Sequence, residues 1–105
     1  METNTAAPRP GLYDAALDQI IHAAAEVFNV LPSDIDGRSR IAQICDARLA
    51  VYVVARKGEI PPHAILARMK RDRSIASHYH KTAAELAQTN PAFAKKIQRV
   101  EAKCS

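Results

Sequence analysis

The sequence predicts an all-α fold, a small helical domain of about five helices. Three observations carry this. Apolar residues recur at i, i+3, i+4 and i+7 instead of alternating. Alanine is abundant while the 105 residues include only three glycines, a composition that favours helix. Hydrophobic residues make up 48% of the chain, so one domain of this length can bury a core.

The chain opens on "METNTAAPRPG", polar and proline-bearing, which reads as a flexible arm over residues 1–12. The helical domain then runs over 13–105. Its first helix spans about 14–29, with Asp14 as the cap whose carboxylate accepts first-turn N–H groups. Leu17, Ile20, Ile21, Ala24, Val27 and Phe28 form its buried stripe. "NVLPSDIDG" breaks that helix, with Pro32, Ser33 and Asp34 suited to one short turn. A second helix starts at Ser39, a good N-cap, and runs to about 57, burying Ile41, Ile44, Cys45, Leu49 and Tyr52. Gly58 fits the left-handed position after its end.

"EIPPHAILARMK" restarts a short helix over about 62–69, with Pro62 in the first turn and Ile65, Leu66 and Met69 on the apolar side. Asp72 caps the next helix, about 73–88, which buries Ile75, Tyr79, Thr82, Ala83 and Leu86. Asn90 and Pro91 read as N-cap and first residue of a last helix, about 91–103. Phe93, Ile97 and Val100 give it an apolar side, either core or a strip that docks a protein partner or a second copy as a homodimer.

No run of about 20 apolar residues exists to span a membrane. The N-terminal stretch lacks the basic and apolar regions of a secretory signal. The expected location is therefore the cytoplasm. Cys45 and Cys104, the two cysteines, are expected as free thiols rather than a disulfide.

Net charge is +4, and its distribution is uneven. Residues 1–37 hold one base and six acids, residues 38–81 ten bases and three acids, and residues 82–105 four bases and two acids. Most of the ten central bases are arginine, whose forked guanidinium suits phosphate or base edges. A basic middle beside an acidic first helix implies one face for a polyanion.

The short helix at 62–69 and the helix at 73–88, joined by a tight turn, have the plan of a helix-turn-helix. Burial of Ile75, Tyr79, Ala83 and Leu86 leaves Arg73, Ser74, Ser77, His78 and Lys81 on the other sides. Each of these can donate a hydrogen bond, and none is acidic. Such a helix fits the major groove of double-stranded DNA, with its N-terminal residues toward the base edges. Its N-terminal dipole favours a nearby phosphate.

Other chemistries find little support. His78 and His80 are two residues apart, which points them to nearly opposite sides of a helix. His22 and His63 have no Cys/His cluster around them, so neither a metal nor another cofactor is expected. Ser74 and Ser77 lack a nucleophile turn and a base with its orienting partner, so the chain is not expected to be an enzyme.

"KRDRSIASHYHKTAAEL" resembles the signature of the DNA-binding domain, the C-terminal domain IV, of the bacterial replication initiator family DnaA. The family pattern there is roughly "GGRDHSTVLHA" followed by a basic residue. Arg71 and Asp72 match its Arg-Asp, Ser74 its first hydroxyl, His78 its later histidine and Lys81 its basic position. Upstream, "IIHAAAEVFNVLPSDIDG" is similar to the family's first helix and following loop, and "GRSRIAQICDARLAVYVV" to its basic loop and long helix. The resemblance covers roughly residues 17–88.

It implies that Arg71, Asp72, Arg73, Ser74, Ser77, His78 and Lys81 enter or border the major groove. It also implies that Arg38, Arg40 and Arg48 clamp the DNA backbone. The sequence departs from the pattern in three places. Arg73 replaces the signature histidine, Ile75 replaces the second hydroxyl, and Met69-Lys70 stands in place of the paired glycines. An arginine at 73 prefers guanine, through O6 and N7. With no glycine-rich phosphate loop in the sequence, the expectation is the initiator's DNA reader without its motor. A nucleoid-associated transcriptional regulator of phage or prophage type is then the expected use, by analogy. The rivals are the DNA-binding part of a replication initiation protein, a protein-interaction module with weak DNA binding, and a basic surface for anionic lipid.

Overall fold

A computed structural model describes residues 11–104. Residues 1–10 and 105 lie outside the described residues, and most of the expected arm lies there. The described residues form helices and no strand, so the fold is all-α. The helices are α1 (Asp14–Phe28), α2 (Pro32–Asp36), α3 (Ala42–Lys57), α4 (Pro62–Arg68), α5 (Ala76–Thr89) and α6 (Pro91–Cys104). A 3-10 turn, Arg73–Ile75, precedes α5. The described residues hold six α-helices where about five were expected, because the turn expected at Pro32 closes into the five-residue α2.

The apolar stripe of α1 is buried as its spacing predicts, from Leu17 to Phe28. Asp14 is the first helical residue rather than the cap, which is Tyr13. The Asp14 carboxylate instead accepts the Gly11 N–H at 2.7 Å, so it ties down the entering chain. In α2, Pro32 occupies the first turn, the Asp34 carboxylate accepts the Leu31 N–H at 3.1 Å, and Ile35 is wholly buried.

Helix α3 is the centre of the fold, packing against all five other helices. It starts at Ala42, three residues beyond the Ser39 cap predicted from sequence. The chain is still extended at Ile41, the observed cap, with ψ 132°, and the Arg48 guanidinium holds the Ser39 carbonyl at 2.7 Å in the loop before it. Ser39 Oγ still accepts from the Ile41 N–H at 3.2 Å, but it shapes a loop rather than a helix end. Ile41 is in consequence 63% exposed instead of buried. Cys45 is half-buried, and Ile44, Leu49 and Tyr52 are buried as expected.

At the other end Gly58 is not left-handed, with φ −84°. Glu59 takes that conformation instead, at φ 65°. The Glu59 N–H then bonds the Arg56 carbonyl and the Ile60 N–H bonds the Ala55 carbonyl, closing α3 and burying Ile60.

Helix α4 repeats the device. Pro61 is extended, as a residue before proline must be, and Pro62 opens the helix. Ile65, Leu66 and Met69 are fully buried. Lys70, at φ 60°, closes α4, with the Lys70 N–H on the Ala67 carbonyl and the Arg71 N–H on the Leu66 carbonyl. The family resemblance puts glycine there, and the backbone explains why.

The last helix opens as read, with Asn90 Oδ1 accepting the Phe93 N–H at 3.1 Å. Phe93, Ile97 and Val100 are buried against α1, α3 and α5. The side of α6 that carries Phe93, Ile97 and Val100 is therefore core. None of the described helices is long and apolar enough to cross a membrane.

Candidate nucleic-acid interface

The two short helices predicted for the motif are present, with a modified junction. Asp72 is extended, and its carboxylate accepts the Ser74 N–H at 2.8 Å. That bond, reinforced by the Ser74 side chain and the nearby Arg73, holds the Asp72 carboxyl below its ordinary pKa. What it caps is the 3-10 turn, so Arg73 and Ser74 sit on that turn and α5 proper begins at Ala76. Tyr79 and Ala83 anchor α5, with the Tyr79 ring 5.8 Å from Tyr52 of α3 in an edge-on arrangement. Asp72, Arg73, Ser74, Ser77, His78 and Lys81 are all exposed.

A polar recess of about 600 Å³ opens between this turn and the loop before α3. Arg38, Arg40, Lys70, Arg71 and His78 line it, together with Arg48. No acidic side chain lines it. Arg38 and Arg40 are exposed on the loop, and Arg71 is half-buried on the turn. A second recess, about 530 Å³, is lined by Asp72, Arg73, Ser74 and His63. The structure thus brings the basic loop, the turn and the start of α5 to neighbouring positions. Ser77 and Lys81 line neither recess, although both are exposed on α5.

Arg48 is placed differently from the sequence expectation of a backbone clamp. Its side chain is buried, with 5% of the residue exposed. Nε donates to the Ile35 carbonyl at 2.9 Å and one terminal nitrogen to Ser39 at 2.7 Å. The other terminal nitrogen donates to Asp34 at 3.0 Å and to Gly37 at 2.9 Å. Its donors are occupied inside the protein, so Arg48 supplies charge beneath the recess but no free fork for a phosphate. Burial, and then the Arg71 charge beside it, lower its pKa from the ordinary arginine value. Arg71 also donates to the Gly37 carbonyl. Among the described residues neither arginine has a carboxylate partner, whereas Arg68 on α4 is neutralised by Asp18 and Asp36.

Sequence reasoning passed over Lys70 and His63. Lys70 was legible as a charge in the basic run. His63 carried no signal, because only the fold brings the start of α4 beside Arg73 and Ser74. Among the described residues no cluster of His, Cys, Asp and Glu is arranged to hold a metal ion.

Over 90 residues the chain is 32% identical to the chromosomal replication initiator protein DnaA of Campylobacter curvus. Over that stretch the chain is similar to DnaA. The match covers 83% of this chain and 20% of that protein, so the chain spans about a fifth of its relative's length. No family model and no solved structure matches it. The residues that carry the sequence resemblance, Arg71, Asp72, Ser74, His78 and Lys81, lie on the turn and on α5.

Proposed function

We propose that the chain is a binding module for double-stranded DNA with sequence preference, not an enzyme. The 3-10 turn and the start of α5 enter the major groove. Arg71, Arg73, Ser74, Ser77, His78 and Lys81 face base edges or the phosphates beside them, with Asp72 shaping the turn. Arg38, Arg40 and Lys70 hold the backbone. The observation that carries this reading is the acid-free recess, where two separate stretches of chain bring arginines beside the exposed end of α5. The similarity to a replication initiator supports the same reading.

The finer proposal, drawn from the sequence, is that this DNA reader regulates transcription, working in the cytoplasm on the nucleoid. The test of DNA reading is selection of bound duplexes from a random pool, followed by binding of the enriched duplex at several salt concentrations. An enriched motif, with log K falling against log salt at a slope of roughly −4 to −6, supports sequence-preferring binding through about five to seven phosphates. Uniform recovery of all duplexes contradicts sequence preference, and no recovery contradicts DNA binding. Regulation is tested with a reporter behind the enriched site, whose output must change with the protein present.

A further inference from the structure

Two observations meet at the loop before α3. Arg38 and Arg40 are exposed there, on a segment that is neither helix nor strand. That segment and the end of α2 are held from below by one buried guanidinium. Arg48 takes the carbonyls of Asp34, Ile35, Gly37 and Ser39. A five-residue stretch such as 37–41 has many conformations, and phosphate contacts made from it require that freedom to be lost on binding. The bonds to Gly37 and Ser39 remove much of it beforehand, and those to Asp34 and Ile35 tie the same side chain to the end of α2. The Gly37 carbonyl also accepts from Arg71, so the loop is set relative to the turn that leads into α5.

We infer that Arg48 is a positioning residue, which fixes the loop so that Arg38 and Arg40 meet the phosphates in register with α5, without touching DNA itself. The inference rests on the DNA-binding reading above and adds the residue through which its backbone contacts are organised. Lysine is the informative replacement. It keeps the positive charge beneath the recess, but its compact ammonium cannot span four carbonyls as the planar fork does.

The experiment compares four chains on one enriched duplex: the wild type, Arg48→Lys, the Arg38→Ala/Arg40→Ala pair, and all three changes together. Helix content and melting temperature identify the conditions in which every chain is folded. If Arg48 acts through the loop, Arg48→Lys flattens the salt slope by up to about 1.8, two contacts at about 0.9 each. In the background lacking Arg38 and Arg40 the same change alters affinity by less than about twofold. The ranking of base substitutions set by α5 is unchanged.

Three results overturn the inference. One is an equal loss from Arg48→Lys in both backgrounds, which marks a direct contact or a general loss of structure. Another is no loss in either background. The third is an Arg48→Lys chain that unfolds while Arg48→Met stays folded with full affinity, which removes the fork from the argument. A flat salt slope in the wild type is a different failure, because it removes the DNA-binding reading before Arg48 is reached.

Discussion

Arg48 and Arg71 donate to the same acceptor, the carbonyl oxygen of Gly37. One guanidinium comes from the middle of α3 and the other from the turn before α5, so a single backbone oxygen joins the loop to the motif. Burial, and then the repulsion of the two like charges, lower the pKa of Arg48, and a set of backbone carbonyls accepts its donors. The same arrangement leaves a positive recess above it.

Arg48→Met removes the fork and takes their donor from the carbonyls of Ile35 and Ser39, while Asp34 keeps the Gly37 N–H and Gly37 keeps Arg71. The expected loss is about 2–4 kcal/mol, since each orphaned acceptor costs about 1–3 kcal/mol and water reaches some of them. Urea denaturation checks this. A loss under about 0.5 kcal/mol would show that the loop does not depend on Arg48.

Lys70→Gly is expected to stabilise the fold. A side chain in the left-handed region costs about 1–2 kcal/mol, and Lys70 sits there at φ 60°. Part of that gain is offset by the greater freedom of glycine in the unfolded chain, so about 0.5–1 kcal/mol remains. The same change removes a cation from the recess, so DNA affinity falls while the melting temperature rises. Affinity and stability that move together would contradict this account.

Asp72 makes stability depend on acidity. Its folded pKa lies below the ordinary 3.8, mainly through the Ser74 N–H. A depressed carboxylate contributes stability that is present above the unfolded pKa and is lost as pH falls through the folded one. The melting-temperature gap between wild type and Asp72→Ala should therefore be constant above about pH 5 and narrow below pH 4. A gap that stays constant down to pH 2 would mean the cap is not a carboxylate effect.

The positions of the long helices were legible because each carries an apolar face that only one periodicity satisfies. The start of α6 was legible for a local reason, since Asn90 and Pro91 set the cap by themselves. The boundaries that moved depend on distant groups. Ser39 is a good cap by type, yet it lies in a loop held by Arg48 from nine residues away, and the chain stays extended as far as Ile41. Gly58 has the right freedom for a left-handed position, but burying Ile60 requires Glu59 to take it. In the candidate interface, Arg38, Arg40, Arg71 and His78 were visible from charge and motif. The inward turn of Arg48 was not, because an arginine in a helix looks the same in sequence whether it faces water or four carbonyls.

Arg73 stands on the 3-10 turn and is exposed beside Ser74 and His63. Arg73→Ala should lose about 1–3 kcal/mol of discrimination at one base position, where guanine is preferred, and change nonspecific affinity by one phosphate-like increment. Arg73→His should move that preference away from guanine. Competition among single-position variants of the enriched duplex reads both effects. An unchanged base ranking in Arg73→Ala would mean that the turn rests on DNA without reading it.

The central claim is that DNA meets one face, made by the loop of Arg38 and Arg40, the turn at Lys70 and Arg71, and the start of α5. The most direct measurement is a titration of the isotope-labelled protein with the enriched duplex, following each backbone amide by NMR. The account predicts that the largest changes fall at residues 38–41 and 70–78 and continue to Lys81, while the amides of α6 stay near their free positions. Changes concentrated instead on α6, or on the separate groove lined by Val53, Ala84 and Ala87, would contradict it.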